Sequence, residues 1–596
     1  MQQDNVKKRR QQNFLQGSAI LMAGTILVKI IGMIFKIPLA NFIGGRGGGY
    51  YITAYDLYTP IYTLAMAGLP IAISRMVAEF AAKKRFLDVK KTLQISQRVF
   101  LVTGALGTVG LFIAVRPFLD YIGNPNAYLS TMAVVPALLF CCFMSSYRGF
   151  YEGLCNMYPT TISSVIESLG KLILGLGGAF AISEYAKHTY FSTGLIFGKA
   201  LEFPTGFINT PENLNKLIIE TAAPYSAGIA LLGITLGSVI ATVYLIIYHK
   251  VSGAKITKQE FNDSPLAYSA KETFSSMLKI CIPVVLGSLV LSAAGTVDVM
   301  TVQTTLGSSI SKTPDFFRTA FKGLMPEVVG DGSNTTTLIA EMPNYLYSCY
   351  KLFAYSIFNL LPSLTTVFGV SALPVLATAW TNKDKKGIKE NIDSTVRFTA
   401  LLALPGGVGI ATMAGPILQL LYSDVPKVVT IATPLLTVLG VAVVFTAITT
   451  PITNMLQAIG KQNIPVRNLA IGVGLKLIIN LTLVRIPEIN IMGAAIGTLV
   501  LYLFHFTASL IALIKHSGVK LDFVTTLIKP LIAALCCGGT AVLMYKLTSE
   551  FISKTAICTI LSIAVGGAVY LTVLLLTKTV SKDDLKMLKA NKNTSN

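Results

Sequence analysis

The chain has 596 residues, of which 53% are hydrophobic and only 13% are charged, about half the charged share of an ordinary soluble protein. Apolar runs long enough to cross a bilayer recur from Gly17 to Leu576 and argue against a soluble fold. The formal net charge of +21 resides mainly in short segments between these runs. We interpret it as a signal of membrane topology and predict no nucleic-acid binding.

Lipid offers the backbone no hydrogen-bonding partner, so each spanning run must be helical. We therefore predict an all-α polytopic membrane protein with about fourteen transmembrane helices. Their approximate limits are 15–42, 53–79, 95–117, 127–149, 159–183, 224–248, 275–303, 345–376, 397–421, 428–457, 465–485, 490–514, 525–547 and 555–577.

Basic residues concentrate in every second connection, starting with the N-terminal tail 1–14 and ending with the C-terminal tail 578–596. The positive-inside rule then predicts that both termini are cytoplasmic. Two predicted outer connections, 184–223 and 304–344, are long enough to form small caps or to lie on the membrane surface. The glycine-rich segment 44–49 lacks the pattern of a nucleotide-binding loop and is predicted to be a flexible outer connection.

An internal repeat relates two parts of the chain. A shift of 299 residues superimposes 78–117 on 377–416 without a gap and matches Lys84 with Lys383, among other pairs; a weaker echo relates Lys171 to Lys476. Six predicted helices separate the copies, so both copies have the same orientation in the membrane. We predict an N-lobe (15–250), a cytoplasmic linker (251–274), a C-lobe (275–515) and two additional helices (525–577).

Charged side chains inside predicted spans are costly and commonly functional. Lys29 and Lys351 have no carboxylate within four residues along the chain, which favours a functional role. Lys36 and Arg75 stand where their side chains could also reach an interface. We predict an anion-binding cationic cavity formed by Lys29, Lys36, Arg75 and Lys351, supported by Asp56, Arg148, Glu152, Glu167, Lys171 and Asp298.

Some of these supporting charges have a structural alternative. Arg148 and Glu152, like Glu167 and Lys171, are four residues apart and could pair along one helix face. The sequence predicts no catalytic residues, no metal site and no ATP site. A phosphate or pyrophosphate group is the expected ligand of the ammonium groups.

Three segments carry a family resemblance. GTILVKIIGMIFKIPLANFIG (24–44), YYITAYDLYTPIYTLAMAGLPIAISRMVAEFAAKKR (50–85) and RGFYEGLCNMYPTTISSVIESLGKLI (148–173) resemble the SpoVB and MurJ-like polysaccharide biosynthesis proteins, whose superfamily also contains MATE exporters and Wzx-type flippases. The resemblance implies a two-lobed flippase of fourteen helices with a cationic cavity. It also implies alternating access driven by an ion gradient or the membrane potential, and lipid II as the cargo of MurJ-like members.

The family's cavity arginines correspond only in part to this sequence. The first-span arginine–glycine motif matches Lys29 and Gly32, the second cation matches Lys36 after a one-residue shift, and the eighth-span arginine matches Lys351. Tyr62 occupies the place of a further arginine. Lysine preserves the charge but lacks the bidentate fork of arginine.

The preferred hypothesis is a flippase in the bacterial cytoplasmic membrane that moves an undecaprenyl-pyrophosphate-linked glycan, such as lipid II, to the outer leaflet. A MATE-like drug exporter, a Wzx-type or sporulation-specific flippase, and a membrane scaffold for cell-envelope assembly remain alternatives. A monomer is expected, with the cell-wall synthesis machinery as a possible partner.

Overall fold

A computed structural model describes residues 2–201, 203, 209–253, 256–325, 334–519 and 521–577. Two compact units divide the described chain between Ser348 and Cys349. The C-terminal tail 578–596 and residues 326–333 of the second long connection lie outside the described residues. Among the described residues, eleven helices are long and apolar enough to cross a membrane.

The first unit contains eleven α-helices and one short hairpin in its described part. The helices are α1 (Gln2–Ala82), α2 (Phe86–Tyr121), α3 (Tyr128–Val134), α4 (Ala137–Gly153), α5 (Tyr158–Gly170), α6 (Gly177–Thr193), α7 (Pro211–Ser252), α8 (Lys258–Asn262), α9 (Ala270–Lys312), α10 (Pro314–Ala320) and α11 (Thr335–Ser348); the strands are β1 (Leu195–Ile196) and β2 (Lys199–Ala200). A 3₁₀ turn spans Pro125–Ala127, and a π-helical segment spans Lys171–Leu176.

The regular secondary structure in the described part of the second unit is all helical. It contains α12 (Tyr355–Phe358), α13 (Leu360–Thr381), α14 (Lys385–Thr412), α15 (Ala414–Leu421), α16 (Pro426–Ala458), α17 (Asn463–Leu483), α18 (Met492–Ser517), α19 (Lys529–Phe551) and α20 (Thr555–Leu576). π-Helical segments span Cys349–Ala354 and Val524–Ile528. Helix α16 packs against α13, α14 and α18, and α19 pairs with α20.

The first two predicted spans form one interrupted helix. Helix α1 bends at Gly44, whose φ of 67° lies in the left-handed region that favours glycine. Because α1 packs along α4, α7 and α9, α9 lies in the first compact unit. The compact units therefore divide the chain at a different place from the linker predicted at 251–274.

The predicted repeat has a local structural counterpart. Helices α2 and α14 begin at Phe86 and Lys385, which are 299 positions apart. Each helix follows a turn in which a lysine has left-handed φ, 56° at Lys84 and 55° at Lys383. The backbone N–H of each lysine donates to the carbonyl three residues earlier, at 3.1 Å in both copies. The two copies thus share turn geometry as well as sequence.

The long connection after α6 contains ordered structure. The β1–β2 hairpin places Leu195 opposite Ala200 and Ile196 opposite Lys199. Ile196 packs in a small apolar core with residues of α6 and α7, including Ala186 and Leu217. The described part of this connection therefore packs as a small folded unit against α6 and α7.

Candidate functional site

A cationic, aromatic cluster forms where α1 meets the π-helical segment after α5. The Lys171 Nζ lies 4.6 Å from the centre of the Phe35 ring and 5.0 Å from that of Tyr55, within cation–π range. Lys36 is close enough to Lys171 to interact with it electrostatically. π-Helical segments frequently occur at functional sites. The first unit thus brings two predicted site lysines together beside aromatic rings.

Glu167, the carboxylate four residues before Lys171, forms an ion pair with Arg148. Arg148 Nη2 lies 3.0 Å from Glu167 Oε2, and Arg148 Nε donates to Ser163 at 2.9 Å. Ser238 donates to the other carboxylate oxygen of Glu167 at 3.4 Å. This ion pair joins α4 to α5. The pairings that the sequence suggests are local, Arg148 with Glu152 and Glu167 with Lys171, and each would lie along one helix.

The remaining first-unit charges occupy different environments. Asp56 accepts a 2.6 Å hydrogen bond from Tyr347, and Asp298 is buried in α9. Lys29 is exposed on α1 and lies seven residues before Lys36, which places both on one helix face. Arg75 is exposed near the end of α1. No contact places Arg75 with the Lys36–Lys171 cluster among the described residues.

The second unit contains a comparable buried lysine. Lys351 is only 5% exposed and lies in the π-helical segment Cys349–Ala354. Its Nζ is 4.7 Å from the centre of the Tyr355 ring and 5.8 Å from that of Tyr350. The Tyr350 hydroxyl is 2.7 Å from Thr498 Oγ1 on α18, which holds this ring in place. Lys351 and Lys171 therefore share the combination of π-helix and aromatic neighbours.

Lys476 is a buried cation that the sequence interpretation did not include in the site. It is 2% exposed on α17, and its Cγ would lie 3.3 Å from a Cβ added at Gly497 of α18. The weak repeat signal that matched it with Lys171 was the indication available from the sequence. Gly497 and Thr498 are adjacent, so Lys476 and Tyr350 contact the same segment of α18.

A second polar cluster surrounds the glycine-rich bend and corrects the expectation of a flexible connection. Arg46 donates to both carboxylate oxygens of Glu341, at 3.0 Å from Nε and 2.8 Å from Nη2. Tyr50 and Asn126 also donate to Glu341. The backbone N–H groups of Gly45 and Arg46 donate to Glu220. The segment is buried and held by charge-assisted hydrogen bonds, so it is a fixed packing element.

The glycines of this bend permit close helix contacts. A Cβ at Gly49 would lie 2.3 Å from the Asn344 side-chain oxygen, and one at Gly44 would lie 2.5 Å from a Glu220 carboxylate oxygen. Asn344 also donates to the Arg46 carbonyl at 3.1 Å. The absence of side chains at 44 and 49 therefore allows α7 and α11 to approach α1.

Two family models match the chain. Residues 14–201 match the model described as "Polysaccharide biosynthesis protein", and residues 352–482 match the model described as "MatE". Lipid II flippase MurJ of Bacillus subtilis (strain 168) is 26% identical over 577 residues, covering 94% of each chain. Stage V sporulation protein B of the same organism is 22% identical over 593 residues, covering 97% of this chain and 98% of the relative.

Solved structures show the same fold. A lipid II flippase MurJ in an inward closed conformation has a TM-score of 0.60 at 14% identity and covers 94% of this chain and 98% of its own. An inward-facing multidrug resistance MATE family transporter of the MOP superfamily has a TM-score of 0.53 at 15% identity and covers 84% of this chain and 99% of its own. The chain is thus a helical multi-pass membrane protein with the fold of these transporters.

Proposed function

We propose that the chain is a flippase for an undecaprenyl-pyrophosphate-linked glycan, with lipid II as the preferred cargo, because it is similar over nearly its whole length to lipid II flippase MurJ and stage V sporulation protein B. The cargo would pass from the inner to the outer leaflet of a bacterial cytoplasmic membrane by alternating access. The chain acts as a transporter in this proposal and performs no covalent chemistry. An ion gradient or the membrane potential supplies the driving force.

The observation that carries the proposal is that each compact unit has an aromatic-flanked lysine in a π-helical segment, Lys171 in the first unit and Lys351 in the second. Ammonium groups bind phosphate oxygens as point charges, and a low-dielectric surrounding strengthens that attraction. Aromatic faces stabilise a neighbouring cation electrostatically. Both features suit a pyrophosphate group that must bind during transport and then be released.

The charge balance disfavours a cation exporter. A cavity for organic cations requires available carboxylates, whereas Glu167 is paired with Arg148 and Asp56 accepts a hydrogen bond from Tyr347. Lys36 and Lys171 are two basic side chains in the same region. The arrangement therefore favours an anionic headgroup over a cationic drug.

The test is complementation of a bacterial strain depleted of its own lipid II flippase. Lys171→Met and Lys351→Met retain most of the side-chain volume and remove the charge. We expect the wild-type chain to restore growth and each variant to lose most of that activity at an equal membrane level. Lys83→Met is the matched control, because Lys83 is exposed and forms an ion pair with neighbouring Glu79 at 2.6 Å.

The outcomes separate the alternatives. Rescue by both methionine variants at wild-type efficiency would exclude the two lysines from cargo binding. Efflux of cationic drugs by a chain that gives no rescue would favour the MATE-like alternative. Stage V sporulation protein B is a full-length relative, so the same variants are also tested for rescue of a sporulation defect, which would identify a sporulation-specific flippase.

A further inference from the structure

A cavity of about 670 Å³ lies in the first unit, at the end that the basic-residue distribution predicts to be outside. This volume falls within the range of about 300–1,000 Å³ that is usual for small-molecule sites. Its lining combines aromatic, amide and basic side chains: Arg46, Asn126, Tyr128, Phe197, Lys199 and Tyr225. The cavity involves neither Lys36 nor Lys171, so it is distinct from the cationic cluster described above.

The β1–β2 hairpin forms one wall of this cavity through an unfavourable local conformation. Phe197 and Gly198 make its two-residue turn with φ of 49° and 78°. Asparagine or glycine normally occupies the first position of such a turn, and a bulky residue with positive φ is an outlier. Strained residues concentrate at functional sites. The Phe197 ring therefore lies at the hairpin tip, and its centre is 4.4 Å from the centre of the Tyr225 ring.

The basic residues of the cavity differ in their availability. Arg46 is held by Glu341 through two hydrogen bonds, and Asn126 donates to the same carboxylate. Lys199 is exposed and makes no ion pair within the described part of the chain. Tyr128 and Tyr225 are each more than one-third exposed. The cavity thus offers one available cation beside partly open aromatic rings.

We propose that this cavity binds an anionic glycan headgroup, with Lys199 contacting a carboxylate or phosphate and Phe197 and Tyr225 packing against a sugar ring. Aromatic rings cover the C–H-rich face of a sugar while their edges and neighbouring amides face its polar groups. The inference depends on the proposed function only in choosing a cell-envelope glycan as the source. It gives the first long connection the role of holding a headgroup on the outer side.

The test measures binding to the purified full chain in detergent by calorimetry. The probe is a disaccharide of two N-acetylated amino sugars, one of which carries a lactyl carboxylate; the comparison probe is the same disaccharide with that carboxylate converted to an amide. We expect the charged probe to bind more tightly. Lys199→Gln should weaken the charged probe about tenfold and leave the amide unchanged, since a charge-assisted hydrogen bond contributes about that factor.

Phe197→Asn removes the ring while supplying a residue that suits the turn, so the hairpin is retained. We expect this variant to weaken both probes. Lys187→Gln is the control, because Lys187 lies on α6 near the hairpin but pairs with Glu184 at 2.7 Å and does not line the cavity. Absence of binding to the wild-type chain, or equal effects of the Lys199 and Lys187 variants, would overturn the proposal.

Two further measurements identify the source and keep the proposals separate. Displacement of the bound disaccharide by the same glycan on undecaprenyl pyrophosphate, in nanodiscs, assigns the cavity to a lipid headgroup; binding without displacement assigns it to a soluble glycan. Lipid translocation is assayed independently in vesicles. A chain that translocates lipid II but binds neither probe refutes only the cavity proposal, whereas probe binding without translocation refutes only the flippase proposal.

Discussion

Glu341→Gln removes the charge from a carboxylate that accepts hydrogen bonds from Arg46, Tyr50 and Asn126. Glu341 is 3% exposed and Arg46 is 13% exposed, so the arginine remains largely desolvated after its partner is neutralised. Breaking a buried ion pair on one side typically costs about 3–5 kcal/mol. We expect the free energy of unfolding to fall by that amount.

The measurement is equilibrium unfolding of the full chain by SDS titration, followed by circular dichroism. Glu184→Gln is the control, because Glu184 is 49% exposed in its pair with Lys187; an exposed pair contributes only about 0.2–1 kcal/mol. Arg46→Gln completes a double-mutant cycle. We expect the double variant to lose less stability than the sum of the single losses. A Glu341→Gln loss no larger than that of Glu184→Gln would refute the assignment of a buried ion pair.

Two other substitutions test packing and backbone strain by the same unfolding measurement. Gly49→Ala should lower the free energy of unfolding by about 1–3 kcal/mol, because the added Cβ would collide with Asn344. Gly110→Ala is the control and should leave the free energy of unfolding unchanged, because its Cβ would meet nothing within 4 Å. Equal effects of the two substitutions would contradict the close contact at Gly49. Lys84→Gly should raise the free energy of unfolding by up to about 1 kcal/mol, because glycine adopts a positive φ without strain. The same change at Lys383 should behave alike, and loss of stability in both would argue against the shared strained turn.

Several features of the fold were predictable from local sequence. Hydropathy identified a helical membrane protein because a spanning segment must satisfy its own backbone hydrogen bonds. The repeat predicted that Lys84 and Lys383 are equivalent, and both have the same left-handed turn. The lack of a local carboxylate predicts a functional role for Lys351, and this lysine is buried beside tyrosine rings. Each of these features depends on residues within a few turns of one another or on a direct match along the chain.

The choice of partners was decided by tertiary structure. Arg148 had a carboxylate four residues away, yet it pairs with Glu167 on another helix. Arg46 and Glu341 are 295 positions apart, and no local pattern connects them. Hydropathy specifies that a segment enters the membrane but leaves the rotation of its helix undetermined, because lipid and neighbouring helices are both apolar.

The sequence by itself determined the helical character of the chain, the repeat and the presence of basic residues within predicted spans. Only the tertiary structure decided which cations are neutralised, which stand beside aromatic rings, and that the glycine-rich bend is a packed junction rather than a loose connection. The physical reason is that a buried charge takes its partner from whichever side chain the packing brings within hydrogen-bond distance, whatever its separation along the chain.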